Sequence, residues 1–116
     1  DSGGPNGGYD HYADSTLTIL PEISGNLVSI KGTYNLESNY DYLYIYDGAG
    51  TSGKLLGCYS GSSYIPLFVS TTGPLTIRFT TDGSIVYSGF QLYVSCIINT
   101  QQKYNLIMIG ELFRIK

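Results

Sequence analysis

Apolar and polar residues alternate along most of this chain. Val28, Ile30, Tyr34 and Leu36 alternate with Ser29, Lys31, Thr33 and Asn35; Leu75, Ile77 and Phe79 with Thr76, Arg78 and Thr80; Phe90, Leu92, Val94 and Cys96 with Gln91, Tyr93 and Ser95. A period of two sends successive side chains to opposite faces of an extended backbone, so each stretch predicts a half-buried β-strand. Tyr42 to Tyr46 predicts another, with three tyrosines on one face and Leu43 and Ile45 on the other. Between these runs fall turn-forming clusters: Ser24-Gly25-Asn26, Asp47-Gly48-Ala49-Gly50, Ser60-Gly61-Ser62-Ser63, Thr72-Gly73-Pro74 and Asp82-Gly83-Ser84. Short strands punctuated this evenly predict an all-β sandwich or barrel, with Leu43, Ile45, Ile77, Phe79, Phe90 and Leu92 in its core. Ahead of residue 100 no stretch has the spacing of an amphipathic helix, and no internal repeat is visible.

At 116 residues and 42% hydrophobic content, the chain suffices for one domain around a single core. Charged residues make up only 13%, beside 15 glycines and 12 tyrosines, a balance that fits all-β extracellular modules better than helical enzymes or disordered tails. The net charge of −3 argues against nucleic acid or an anionic membrane surface as partner, and no apolar run is long enough to span a bilayer as a helix. The acidic groups call for a cation or a basic ligand. Cys58 and Cys96 lack the spacing of a zinc or redox motif; a Cys58–Cys96 disulfide and a pair of buried free thiols both fit the sequence.

The opening residues Asp1-Ser2-Gly3-Gly4-Pro5 are those that surround the nucleophile of trypsin-like serine proteases. Catalysis by that serine needs a histidine base oriented by a carboxylate, in a site that excludes water. The only histidine is His11, and it follows Ser2 on the same glycine-rich segment, an order that cannot build the trypsin-like site. A hydrolase of new topology would have to use Ser2, His11 and Asp10 or Asp14. The plainer expectation is a surface turn ahead of the first strand, with no enzymatic activity.

Several motifs in order, Tyr40-Asp41-Tyr42-Leu43-Tyr44-Ile45-Tyr46-Asp47-Gly48, Leu56-Gly57, Ser60-Gly61, Leu75 to Ser84 and Ser88-Gly89-Phe90, resemble those of the CUB domain family over roughly residues 15 to 96. The opening DSGGPNGGY is similar to the lead-in of CUB-like modules in secreted bacterial proteins. The resemblance implies an antiparallel two-sheet β-sandwich of jelly-roll type over residues 1–96, secreted or at the cell surface, acting as a non-catalytic adhesion or binding module. It also implies one Ca2+ at an end of the sandwich. The matching positions are Glu37, Asp41 of the Tyr-Asp pair, and Asp82 with Gly83 and Ser84. Calcium takes six to eight oxygens at about 2.3–2.6 Å, which loops at a sandwich end can supply; the competing reading is that Asp41 and Asp82 cap turns. Family partners are extracellular proteins that present a Lys or Arg to the calcium site. Ser38 and Ser60 stand near the positions of the family's usual cysteine pair, so a Cys58–Cys96 bridge would have its own connectivity.

Two features stay open. Tyr42, Tyr44 and Tyr46 either form a sugar-binding platform, which would make this a carbohydrate-binding sandwich, or cover the sheet with rings whose hydroxyls reach the rim. Residues 97–116, with the apolar run Leu106-Ile107-Met108-Ile109, form an extension that is an extra strand, a helix, a linker or a non-native tail.

Overall fold

The computed structural model describes residues 14–82 and 89–99, and every regular element among them is a β-strand. The strands are β1 (Asp14–Ile19), β2 (Leu27–Asn35), β3 (Tyr42–Asp47), β4 (Leu55–Tyr59), β5 (Ser62–Val69), β6 (Leu75–Thr80) and β7 (Gly89–Ile97). One sheet has the order β1-β6-β3-β4, the other β5-β2-β7, and all pairings are antiparallel. The alternation read along β2, β3 and β6 becomes the inner face: Val28, Ile30, Leu43, Ile45, Leu75, Ile77 and Phe79 are buried together with Leu36 and Ile65. Phe90 and Leu92, expected in the core, are only half-buried and pack against it. The reason is topological, since β7 is the last described strand of its sheet and is flanked by β2 alone.

Ring contacts set how the sheets face each other. Phe79 of β6 meets Phe90 of β7 edge-on at 5.2 Å between centroids, and Tyr59 of β4 meets Phe68 of β5 at 6.4 Å. Thus β6 lies over β7 and β4 over β5, and β1, beyond β6, overhangs the β7 edge. Gly32 is where β2 and β7 come closest: a Cβ built there would stand 1.9 Å from the carbonyl oxygen of Gln91. Only glycine leaves room for that backbone approach.

Three strands lack a clean alternation. In β1 only Leu17 and Ile19 are apolar; β4 contains Gly57; and β5 contains Pro66 and starts at Ser62 and Ser63, which were expected in a turn. Pro66 is tolerated because β5 is an edge strand, and the register against β2 gains one residue there, Ile30 pairing with Phe68 and Gly32 with Ile65.

The connections follow from the sheet assignments. The links β2–β3, β4–β5 and β6–β7 all pass from one sheet to the other at the same end of the sandwich. The opposite end is tied by Asp47, whose carboxylate accepts the backbone N–H of Thr71 at 3.0 Å and also its hydroxyl, and by Ser70, whose hydroxyl accepts the Val28 N–H at 2.9 Å.

Candidate functional site: a carboxylate cluster at one end of the sandwich

The chain leaves β2 at Asn35 and must turn within a few residues to enter β3 at Tyr42. It does so in one tight turn, in which the carbonyl of Glu37 accepts the N–H of Asp41 at 3.0 Å and that of Tyr40 at 3.3 Å. Asn39 supplies the left-handed residue the turn requires, at φ 68°; asparagine is among the few non-glycine residues that adopt this conformation readily. Glu37 and Asp41 are therefore the two ends of one turn.

Asp82 arrives through the β3–β6 register. Tyr42 pairs with Thr80, and extending that antiparallel ladder carries the chain past Thr81 to Asp82 beside the turn. The backbone N–H of Asp82 donates to Oδ1 of Asp41 at 3.0 Å. One carboxylate oxygen from each of Glu37, Asp41 and Asp82 then lies within 4.8 Å of the others. Asp41 is fully buried, Glu37 is 7% exposed and Asp82 is half-buried.

The third crossover completes the support. Ser60 follows β4, and its hydroxyl lies 2.7 Å from the carbonyl oxygen of Asp41 and 3.2 Å from that of Glu37, while accepting the N–H of Asn39 at 2.8 Å. Next to it, the carbonyl of Gly61 accepts the N–H of Leu36 at 2.8 Å. This tie was not read from the sequence, where Ser60 stood only in a turn cluster. The available signal was a Ser-Gly pair at a strand end, which is too common to single out.

Of the five positions expected at a calcium site, the structure brings Glu37, Asp41 and Asp82 together. Gly83 and Ser84 lie outside the described residues, as do Ser2, Asp10 and His11. Asp14, the remaining carboxylate of the alternative triad, is at the start of β1, where it forms a two-pronged ion pair with Arg78, Nε to Oδ1 at 3.0 Å and Nη2 to Oδ2 at 2.9 Å. That bond to the guanidinium holds the Asp14 carboxyl below its ordinary value.

Both readings of the cysteines need correction. Cys58 and Cys96 are unbridged, and neither is buried. Cys58 pairs with Tyr44 on the outer face of β4, at one margin of the sandwich, whereas Cys96 lies on β7 at the other, so the two thiols have no common direction. Partial burial still pushes the Cys58 thiol above its usual value.

On the outer face of the four-stranded sheet, the Tyr42, Tyr44 and Tyr46 rings stand in a row, with centroids 6.1 and 6.4 Å apart. The Arg78 guanidinium sits 5.8 Å from the Tyr44 centroid while bound to Asp14. All three tyrosines are half-buried, and the row links β3 to β6 and, through Asp14, to β1.

The architecture defines a β-sandwich module with its crossovers converging on an acidic end. The profile of the CUB domain family matches residues 23–94, and the chain belongs to that family. The chain is 33% identical over 92 residues to rat neuropilin-2, covering 71% of this chain, and 42% identical over 65 residues to pig cubilin, covering 56%. It is also 31% identical over 61 residues, 53% of its length, to the zinc metalloproteinase nas-39 of Caenorhabditis elegans. The matches span 10%, 2% and 7% of those three proteins.

Proposed function

We propose that the domain is a non-catalytic extracellular binding module that holds one Ca2+ between Glu37, Asp41 and Asp82 and engages protein ligands at that end. The observation that carries this reading is the convergence of three carboxylates, two of them buried, from two separate crossovers. Like charges gathered in a poorly hydrated site repel one another unless a cation or protons compensate them. A hard, oxygen-loving divalent ion with flexible coordination suits a donor set of carboxylates, backbone carbonyls and water, and calcium is the ion of that kind abundant outside cells.

The bound ion would fix the β2–β3 turn against the β6–β7 connection and give the end of the sandwich a defined shape. A ligand that presents a lysine or arginine beside the carboxylates gains charge-assisted hydrogen bonds there. In a longer parent protein such a module positions other domains, including enzymatic ones, near their target.

The test is thermal unfolding with excess calcium and then with chelator, alongside calorimetric titration of Ca2+. Calcium at about a hundred times Kd stabilises the folded state by roughly 2.7 kcal/mol, which for a domain of this size raises the midpoint by roughly 10 °C. An unchanged midpoint and no heat of binding would overturn the calcium assignment and leave Asp41 and Asp82 as turn-capping groups. The non-enzyme reading is tested separately by a serine-directed activity probe, which should leave both the domain and its Ser2→Ala variant unlabelled.

A further inference from the structure

The two sheets do not match in width. Sheet β1-β6-β3-β4 lies over β5-β2-β7 with β6 above β7, so no described strand lies opposite β1. The consequence is visible on the inner face. Leu17 of β1 pairs with Ile77, and Val94 of β7 pairs with Ile30, so both point into the sandwich. Yet Leu17 is 61% and Val94 51% exposed, while Ile77 and Ile30 are buried. Cys96, on the same inner face opposite Val28, is exposed as well.

The margin of β7 itself has none of the devices that keep an edge strand from pairing. Its nine residues, GFQLYVSCI, include no charge and no proline, whereas edge strands are ordinarily blunted by one or the other. Such an edge is a template for another strand.

We propose that the occupant is the chain's own segment Tyr104–Ile109, added to β7 as an antiparallel eighth strand that completes a sandwich four strands over four. The chain emerges from β7 at Ile97, and the polar stretch Asn99 to Lys103 gives enough length to reverse direction. Six connecting residues place Asn105 opposite Cys96, Ile107 opposite Val94 and Ile109 opposite Leu92. Because Leu106 to Ile109 are all apolar, a shift of one residue still puts a large apolar side chain over Val94. The N-terminal residues 1–13 are the weaker occupant, with four glycines and a proline disfavouring a strand. A second copy pairs only at high concentration, whereas a tethered segment is always at hand.

Cross-linking tests the pairing in the full chain. In a Cys58→Ser background, Tyr104→Cys, Asn105→Cys and Leu106→Cys are oxidised in turn and sized by sedimentation. One of the three should form an intramolecular disulfide with Cys96 in a monomer. No intramolecular bond in any of them overturns the proposal, and a bond between two chains assigns the edge to a second copy instead. The independent readout is thiol labelling of Cys96 in the same background. Ile107→Asp with Ile109→Asp should accelerate it by about tenfold or more, as expected when the covering strand loses its apolar contacts and opens. An unchanged rate, with β7 amide exchange also unchanged, overturns it.

Discussion

The backbone N–H of Asp82 donates to Oδ1 of Asp41 at 3.0 Å, joining the start of β3 to the chain beyond β6 across 41 residues of sequence. This bond gives Asp41 two tasks, since it both anchors the neighbouring crossover and contributes charge to the cluster. Asp82 contributes to the bond only through its backbone, so the two roles separate by substitution.

Asp82→Ala should therefore abolish most of the calcium-dependent rise in melting temperature while leaving stability in chelator nearly unchanged. Asp41→Ala should lose the calcium increment and, in chelator, a further 1–3 kcal/mol or so, because the Asp82 N–H is left without its acceptor. Asp41→Asn retains an acceptor and should recover the second loss but not the first. Glu37→Ala should behave like Asp82→Ala. Thermal melts of the four variants, each with calcium and with chelator, check the pattern; equal responses in all of them would contradict it.

Ser60→Ala removes a hydroxyl that accepts the Asn39 N–H and bridges toward the Asp41 and Glu37 carbonyls. Urea unfolding in chelator should show a loss of about 1–2 kcal/mol. Calcium affinity should fall too, because the turn carrying two of the carboxylates is no longer held to the β4–β5 crossover. A variant with normal stability and affinity would show that the hydroxyl is dispensable.

Gly32→Ala should be among the most damaging single-methyl changes in the domain. Its Cβ would stand 1.9 Å from the Gln91 carbonyl oxygen, and that atom is backbone, so β2 and β7 must separate to accept it. A loss of about 3 kcal/mol or more is expected, the upper range for overpacking. Denaturant unfolding measures it, and amide exchange along β7 should report the strand loosening first.

Acidification should weaken the β1–β6 pairing in a defined window. The bond to Arg78 lowers the Asp14 carboxyl from its ordinary value of 3.8. A carboxyl with a depressed folded-state value stabilises the protein fully above its unfolded value, about 3.9, and that contribution disappears as pH falls through the folded value. The pair is exposed, so its contribution is small and screened by salt. Wild type and Asp14→Asn should thus differ in stability near pH 6 and converge in strong acid. A carbon-detected NMR titration should place the Asp14 midpoint below that of a free aspartate.

The period-two alternation was enough to define an all-β protein and to locate β2, β3, β6 and β7, because those strands bury one face continuously and their sequences record it. It was less informative for β1, β4 and β5. These are edge strands, where exposure relaxes the apolar pattern and admits Pro66 and Gly57. The motif around Tyr40-Asp41 pointed to Glu37, Asp41 and Asp82 as one site, and the turn from Glu37 to Asp41 is legible as a local feature.

What only the tertiary structure decided is everything that depends on which strands become neighbours. The β3–β6 register delivers Asp82 to Asp41, and the β4–β5 crossover brings Ser60 under the turn. The same topology put Cys58 and Cys96 at opposite margins and unpaired, against both sequence readings, and left Phe90 and Leu92 half-buried because β7 is the outermost described strand of its sheet. Alternation along a strand specifies which side chains share a face, but it carries no record of what that face will meet; sheet order and register, set by the packing of the whole chain, supply that.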